Sequence, residues 1–237
     1  MALVQSSQIL DLLNQLHATD NMVFGADSHD FKLNGVLTKE AILAFEQLHG
    51  VRLPDDYRQF LAGVGNGGAG PFYGVFPLGF VDDNFGVRQW QENDDLVGRL
   101  SEPFVFDQAW NDLSDMPGPD LPSHDEDEAE YHRLQESFGQ VYWSSSLVNG
   151  TIPICHEGCG IRVLLIVNGK QAGKLWEDRR SEYEGLRPLT LKDGSPASFG
   201  EWYSEWLRSC IAACKPANAV ALPEDAASRS DDVVEIS

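Results

Sequence analysis

The sequence predicts an α+β fold, in which helices pack on one face of a twisted antiparallel sheet of about five or six strands. Runs rich in β-branched residues at 151–155 and 161–167 predict two strands of that sheet. Asn168–Gly169 is typical of a hairpin turn, and the chain returns as a further strand over 173–177. Apolar side chains spaced three and four apart over 199–211 predict an amphipathic helix.

Three helices are predicted in the N-terminal third of the chain. The first begins near residue 6, and its apolar spacing extends to Leu16. The second runs from an N-cap at Thr38 to Gly50, which is placed to end it. Pro54 suits the first turn of the third helix. The inward stripe of that helix consists of Tyr57, Phe60, Leu61 and Val64.

The middle of the chain carries weaker patterns. A turn at 66–68 supplies the positive φ values of a sharp reversal, and the aromatic run at 72–76 predicts a strand after it. Another strand is predicted over 104–106, with Trp110 as its packing partner. Residues 124–138 predict a helix with an acidic first turn, which suits the helix dipole.

Four segments in the predicted order resemble one known family. LPDDYRQFL at 53–61, followed by NGG and GPFYGVFPL up to residue 78, resembles the N-terminal signature of the SUKH superfamily. The segment 150–180 and the run SFGEWYSEWL at 198–207 are similar to the closing strands and final helix of bacterial members. Ser198 and Glu201 in that run also form a capping box. The resemblance covers roughly Thr38 to Leu207.

The resemblance implies an α+β binding domain without catalysis. Many bacterial members of the superfamily are immunity proteins that neutralise a toxin, often a nuclease. The superfamily also contains intracellular regulatory or adaptor modules, and the sequence leaves both roles open. A toxin gene beside this one would favour immunity, and its absence would favour regulation.

The 237 residues predict one domain with extensions. We expect a helical N-terminal extension over 1–36, a SUKH-like domain over 37–215 with an acidic insert at about 82–130, and a disordered acidic tail over 216–237. No signal-peptide pattern and no membrane-length apolar run is present, so we expect a cytoplasmic protein. The oligomeric state stays open.

The net charge of −20 is concentrated in the acidic insert. Residues 82–130 hold fifteen acidic side chains against two arginines. Such a field repels nucleic acid phosphates and attracts a basic protein, although acidity can also serve solubility alone. We therefore expect a basic toxin domain as the partner and no nucleic acid or membrane. The candidate partner-binding residues are Asp82, Asp83, Glu92, Asp94, Asp95, Asp125, Glu126, Asp127 and Glu128.

Several patterns could indicate a metal, nucleotide or catalytic site, but their sequence context does not support such a site. Residues 65–70 match GxGxxG, but they follow a predicted helix and lead into a predicted strand, the reverse of a dinucleotide site. The cysteines at 155, 159, 210 and 214 have CxxxC spacing, and we expect core cysteines and no metal. There is no GxSxG elbow, and Ser144–Ser146 has no assignable base. We predict no cofactor, no catalytic residue and no enzyme activity.

Overall fold

The structure is a computed structural model that describes residues 6–17, 23–83, 86–118 and 125–214. The helices in these ranges are α1 Ser6–His17, α2 Ala26–His29, α3 Lys39–His49, α4 Asp55–Gly63, α5 Asp125–Tyr142 and α6 Phe199–Cys214. The strands are β1 Phe80–Asp83, β2 Gly86–Gln89, β3 Thr151–Gly158, β4 Ile161–Ile166, β5 Leu175–Asp178 and β6 Leu186–Pro188. Short 3-10 turns lie at Ser145–Val148 and Arg180–Glu182. The predicted tail over 216–237 lies outside the described residues.

The main sheet is antiparallel and has the order β3-β4-β5-β6. Single bridges extend both of its edges, since Val75 pairs with Cys155 on β3 and Trp110 pairs with Leu186 on β6. A separate antiparallel hairpin is formed by β1 and β2. The predicted α+β class is confirmed, and the four regular strands with their bridged edges approximate the five or six that we expected.

One face of the main sheet carries the larger core. Val163 and Leu165 of β4 lie in this core with buried side chains of α1, α3, α4 and α6. The predicted stripe of α4 is fully part of it, and Phe60 and Leu61 are inaccessible to solvent. The N-terminal helix α1 joins the same core and contacts α6. Burying each such side chain contributes about 1.5–3 kcal/mol relative to exposure.

The opposite face of the sheet is also covered. Leu164 and Ile166, the alternate residues of β4, pack in a second cluster with Phe104 and Trp176, whose ring centroids are 4.8 Å apart. The segment 104–110 covers this face. Phe104 at one end of the segment bridges to Gly169 and Trp110 at the other end bridges to Leu186, so the segment crosses the face of the sheet. Trp110 packs on Phe106 with centroids 5.5 Å apart, which confirms that predicted contact. The acidic insert therefore supplies part of the core.

Two predicted strands are wrong in detail. In the run 72–76 only Val75 makes bridges, because Phe72 adopts a left-handed φ of 52° and Gly74 a φ of 98°. In 104–106 only Phe104 makes one. The preceding turn needs glycine at Gly68, where a Cβ would lie 2.5 Å from the Lys32 carbonyl oxygen. The loop 65–70 thus reverses the chain after α4 and opens no helix.

Helix caps follow the local predictions, and one cap joins two helices. Thr38 Oγ1 accepts from the Ala41 N–H, and Ser198 and Glu201 bond to each other at the start of α6. The N–H of Gly200 donates to Asp56 Oδ2 on α4 at 2.9 Å. A carboxylate of one helix therefore caps the N-terminus of another, which places its charge favourably for the dipole of α6.

We predict that Asp56→Ala lowers the free energy of unfolding by about 1–2 kcal/mol, since it removes a cap between α4 and α6. Asp55→Ala is the matched control, because Asp55 is exposed and pairs only with the exposed Arg52 in the described contacts. Its loss should be clearly smaller. Urea denaturation of both variants measures the difference, and equal losses would contradict this role of Asp56.

Candidate protein-interaction surface

The nine predicted partner-binding residues fall into two groups in the structure. Five lie on the β1–β2 hairpin and in the loop that follows it, and four lie in the first turn of α5. The side chains of Asp83, Asp125, Glu126 and Asp127 lie outside the described part of the structure. The remaining five side chains differ sharply in their surroundings.

Asp82 is held inside an ion-pair cluster. Its carboxylate pairs with His156 Nδ1 on β3 and lies 3.4 Å from Arg162 Nε on β4. Its side chain is only 19% exposed. Burial lowers the pKa of His156, and the neighbouring Asp82 opposes that shift. The main role of Asp82 is therefore to balance the positive charge of its neighbours at the end of β3 and β4.

Glu92 and Asp94 shape the loop after β2. Glu92 Oε1 lies 2.6 Å from His49 Nδ1 at the end of α3. Asp94 pairs with Arg88 at 3.0 Å and accepts the N–H groups of Leu96 and Val97, both at 2.9 Å. Both carboxylates thus have their partners within the chain. Their charge still adds to the negative potential of the region. Neither carboxylate can turn toward an external partner without losing contacts that hold the loop.

Asp95 and Glu128 are exposed. Glu128 makes only a long contact of 3.7 Å to His132, with both side chains about two-thirds exposed. Glu130 and Glu136 on the same helix are exposed as well, and Glu130 pairs with Arg133. Exposed acidic side chains therefore extend along the described part of α5.

Helix α5 is attached to the protein by its C-terminal end. Phe138 and Tyr142 are buried among its described side chains, and the Tyr142 ring stacks on Trp110 with centroids 5.5 Å apart. The Tyr142 hydroxyl donates to Asn111 Oδ1 at 2.8 Å and accepts the N–H of Gly185 at 3.1 Å. A helix of 18 residues is about 27 Å long. Its acidic first turn therefore lies well away from this attachment.

The attachment depends on a buried arginine. Arg180 is 3% exposed and binds Asp178 through two hydrogen bonds of 2.9 and 2.6 Å. Its NH1 group also donates to the carbonyl oxygens of Tyr142 and Ser144 at 3.2 and 3.1 Å. Carbonyls at a helix C-terminus lack partners within the helix, so a cation is stabilising there. Arg180, in the turn that follows β5, thus caps the C-terminus of α5.

Sequence reasoning missed two exposed aromatic side chains at this end of α5. Trp143 and Tyr183 are each 42% exposed, and their ring centroids are 6.2 Å apart. Val141, also exposed, precedes Trp143 in the chain. Trp143 lies five residues beyond the predicted helix 124–138, whereas the observed α5 extends to Tyr142. The surroundings of Trp143 depend on contacts between segments forty residues apart. No local sequence pattern predicts the contact between Trp143 and Tyr183.

An apolar groove is the other prominent surface feature. It has a volume of about 390 Å³ and lies between α6 and the turn that contains Pro71 and Phe72. Trp202 and Trp206 form its wall on α6, and Lys192 contributes a polar group. A groove of this size and lining can receive apolar side chains. It borders the GPF motif that carried the family resemblance.

The cysteines divide into core and surface positions. Cys155 and Cys210 are buried, as predicted, and burial raises the pKa of the Cys155 thiol well above its usual value. Cys159 is exposed in the β3–β4 turn, so the prediction of a core cysteine is wrong there. The side chain of Cys214 lies outside the described residues. Within the described ranges no group of three or more His, Cys, Asp or Glu side chains could hold a metal ion.

None of the helices described is both long and apolar enough to cross a bilayer.

Glu157 on β3 is a partly buried carboxyl group whose pKa the fold raises. Burial, together with the nearby Glu177, raises the pKa of Glu157 to about 7, although Arg179 and Arg187 oppose the shift. One of its oxygens is buried without a hydrogen-bond partner within the described part of the chain. The fold therefore favours the protonated form of this side chain.

We predict that Glu157→Gln raises the melting temperature at about pH 8 and has little effect near pH 4.5. The raised pKa means that the stabilising contribution of Glu157 is complete below about pH 4.5 and is lost as the pH rises through about 7. Glu184→Gln is the control with opposite sign, because Arg179 lowers the pKa of Glu184. Thermal melts at both pH values decide, and a pH-independent effect of Glu157→Gln would contradict the assignment.

The model of the SMI1 / KNR4 family (SUKH-1) matches residues 36–205. No curated protein and no solved structure matches the chain. The matched span begins before α3, includes the glycine-rich turn and the main sheet, and ends within α6. Since it covers most of the sequence, the chain belongs to the SMI1 / KNR4 family (SUKH-1).

Proposed function

We propose that this protein is a non-catalytic binding domain that acts as a bacterial immunity protein against a basic toxin, such as a nuclease. Family membership supports a binding role, because SUKH domains are generally immunity or regulatory domains without catalysis. The observation that carries the proposal is the acidic helix α5, which is fixed at one end and exposed along most of its length. The mechanism is occlusion of the toxin's basic surface.

The charges of α5 suit this mechanism. Residues 125–142 hold six acidic side chains against one arginine. Exposed charges act over about 8–10 Å near physiological salt, so neighbouring carboxylates on one helix act together on an approaching partner. Carboxylates that take the place of substrate phosphates would both attract a basic nuclease surface and cover it. Asp82 on the hairpin and Glu92 and Asp94 in the loop after it would strengthen the field from positions where they also serve the fold. Asp83 adds its charge to the same region.

Co-expression tests the immunity role directly. The full chain, produced together with the toxin domain encoded beside its gene, should restore growth of cells that the toxin alone arrests. Loss of growth despite stable expression of both proteins would contradict immunity and favour the regulatory or adaptor role.

We predict that neutralising five exposed or terminal acids slows association with that toxin domain by about tenfold or more. The variant carries Asp95→Asn, Asp125→Asn, Glu126→Gln, Asp127→Asn and Glu128→Gln, and it leaves Asp94 intact because Asp94 holds its loop. Added salt should slow the wild type similarly and the variant much less. Surface plasmon resonance measures both rates.

The tail provides a control with the same change in net charge. Its five acids are Glu224, Asp225, Asp231, Asp232 and Glu235. Their neutralisation should alter the association rate much less than the change on α5 and in the loop. Equal slowing by both variants would mean that only net charge matters, and it would contradict a localised interface.

A further inference from the structure

Trp143 and Tyr183 form a supported pair of exposed rings beside the acidic helix. The Trp143 ring packs edge-on against the buried Tyr142, with centroids 5.3 Å apart, and Tyr183 lies 6.0 Å from the same ring. Tyr142 is itself fixed by hydrogen bonds to Asn111 and Gly185. Rings held in this way lose little conformational freedom when a partner covers them. Such aromatic side chains are enriched among the residues that dominate binding energy.

The backbone at Tyr183 gives a second observation. Tyr183 ends the turn Arg180–Glu182 with a left-handed φ of 57°. Glycine or asparagine is the usual residue in this conformation, and a bulky aromatic residue there is an outlier. The sequence thus places a large ring, still 42% exposed, where a smaller residue would fit the backbone better. Residues held against backbone preference are concentrated at functional sites.

The charges around the two rings indicate which chemical group of a partner would pack on them. Residues 177–187 contain four acids against Arg179, Arg180 and Arg187. All three arginines are engaged within the chain, Arg179 with Glu182 and Glu184, Arg180 with Asp178 and Arg187 with Glu177. The net charge around the rings is therefore negative by one unit, and the exposed Glu136 of α5 adds to it. The complement of an aromatic pair in a negative surface is a cation with a planar face, which arginine has and lysine lacks.

We propose that Trp143 and Tyr183 receive an arginine side chain of the basic partner and form the anchor of the interface. This inference rests on the proposed function and names the chemistry of its partner contact. The carboxylates of α5 govern the rate of association, whereas the aromatic pair governs how long the complex lasts. The guanidinium group of Arg180, 5.9 Å from the Trp143 ring, already shows that this ring accepts such a contact.

Two synthetic peptides of equal length and charge provide the probe, one of alternating arginine and glycine and one of alternating lysine and glycine. We expect the arginine peptide to shift the indole resonance of Trp143 and to bind more tightly to the wild type. Trp143→Ala should weaken binding of the arginine peptide about threefold to tenfold and leave the lysine peptide nearly unchanged. Tyr183→Asn should act similarly, and asparagine suits the left-handed backbone, so the fold is preserved.

Phe24→Ala is the matched control, since Phe24 is an exposed aromatic residue at the apolar groove. It should leave binding of both peptides unchanged, and an effect of Phe24→Ala alone would overturn the inference and place the anchor at the groove. If the five-acid variant weakens both peptides while Trp143→Ala and Tyr183→Asn change nothing, the aromatic anchor is refuted and the acidic surface stands. If the five-acid variant also binds like the wild type, the proposed function loses its acidic surface.

Discussion

The central strand β4 buries side chains on both of its faces, and this constraint organises the rest of the chain. Val163 and Leu165 point into the larger core, whereas Leu164 and Ile166 point into the second cluster. The helices α1, α3, α4 and α6 cover only the first face. An uncovered second face would expose a contiguous apolar surface, so another part of the chain has to lie against it.

The acidic insert meets this requirement. Phe104, Phe106 and Trp110 of the insert pack on the second face, while most of its described carboxylates stay toward solvent or pair with nearby bases. Arg180 joins the sheet to α5, because it binds Asp178 on β5 and the carbonyl oxygen of Tyr142 at the end of the helix. Removing one member of a buried ion pair typically costs about 3–5 kcal/mol. The same segment thus completes the core and displays the charge with which we propose the protein binds its partner.

Local features of this fold could be predicted from the sequence, since their causes lie within a few residues. The caps at Thr38 and Ser198 and the stripe of α4 belong to this class. The candidate site is different. Asp94 and Asp95 are adjacent and chemically alike, yet one holds a loop and the other is exposed.

The sequence alone could not distinguish the structural acidic residues from the exposed ones, because their partners are distant in the chain. Glu92 meets His49 across 43 residues, and Asp82 meets His156 on a different strand. Trp143 and Tyr183 likewise meet through long-range contacts, among them those of Arg180 with Ser144 and of Gly185 with Tyr142. Regional charge predicts where an acidic surface lies, but the division of its residues between structural and exposed positions depends on these long-range contacts.

Hydrogen exchange on an Arg180→Lys variant tests the central claim most directly. Lysine keeps the positive charge but lacks the planar fork that binds Asp178 and two carbonyls at once. The account predicts faster exchange across the C-terminal half of α5, with protection of β3 and α6 retained, because those elements belong to the other core. Unchanged protection of α5 in this variant would contradict the claim that Arg180 attaches the acidic helix to the sheet.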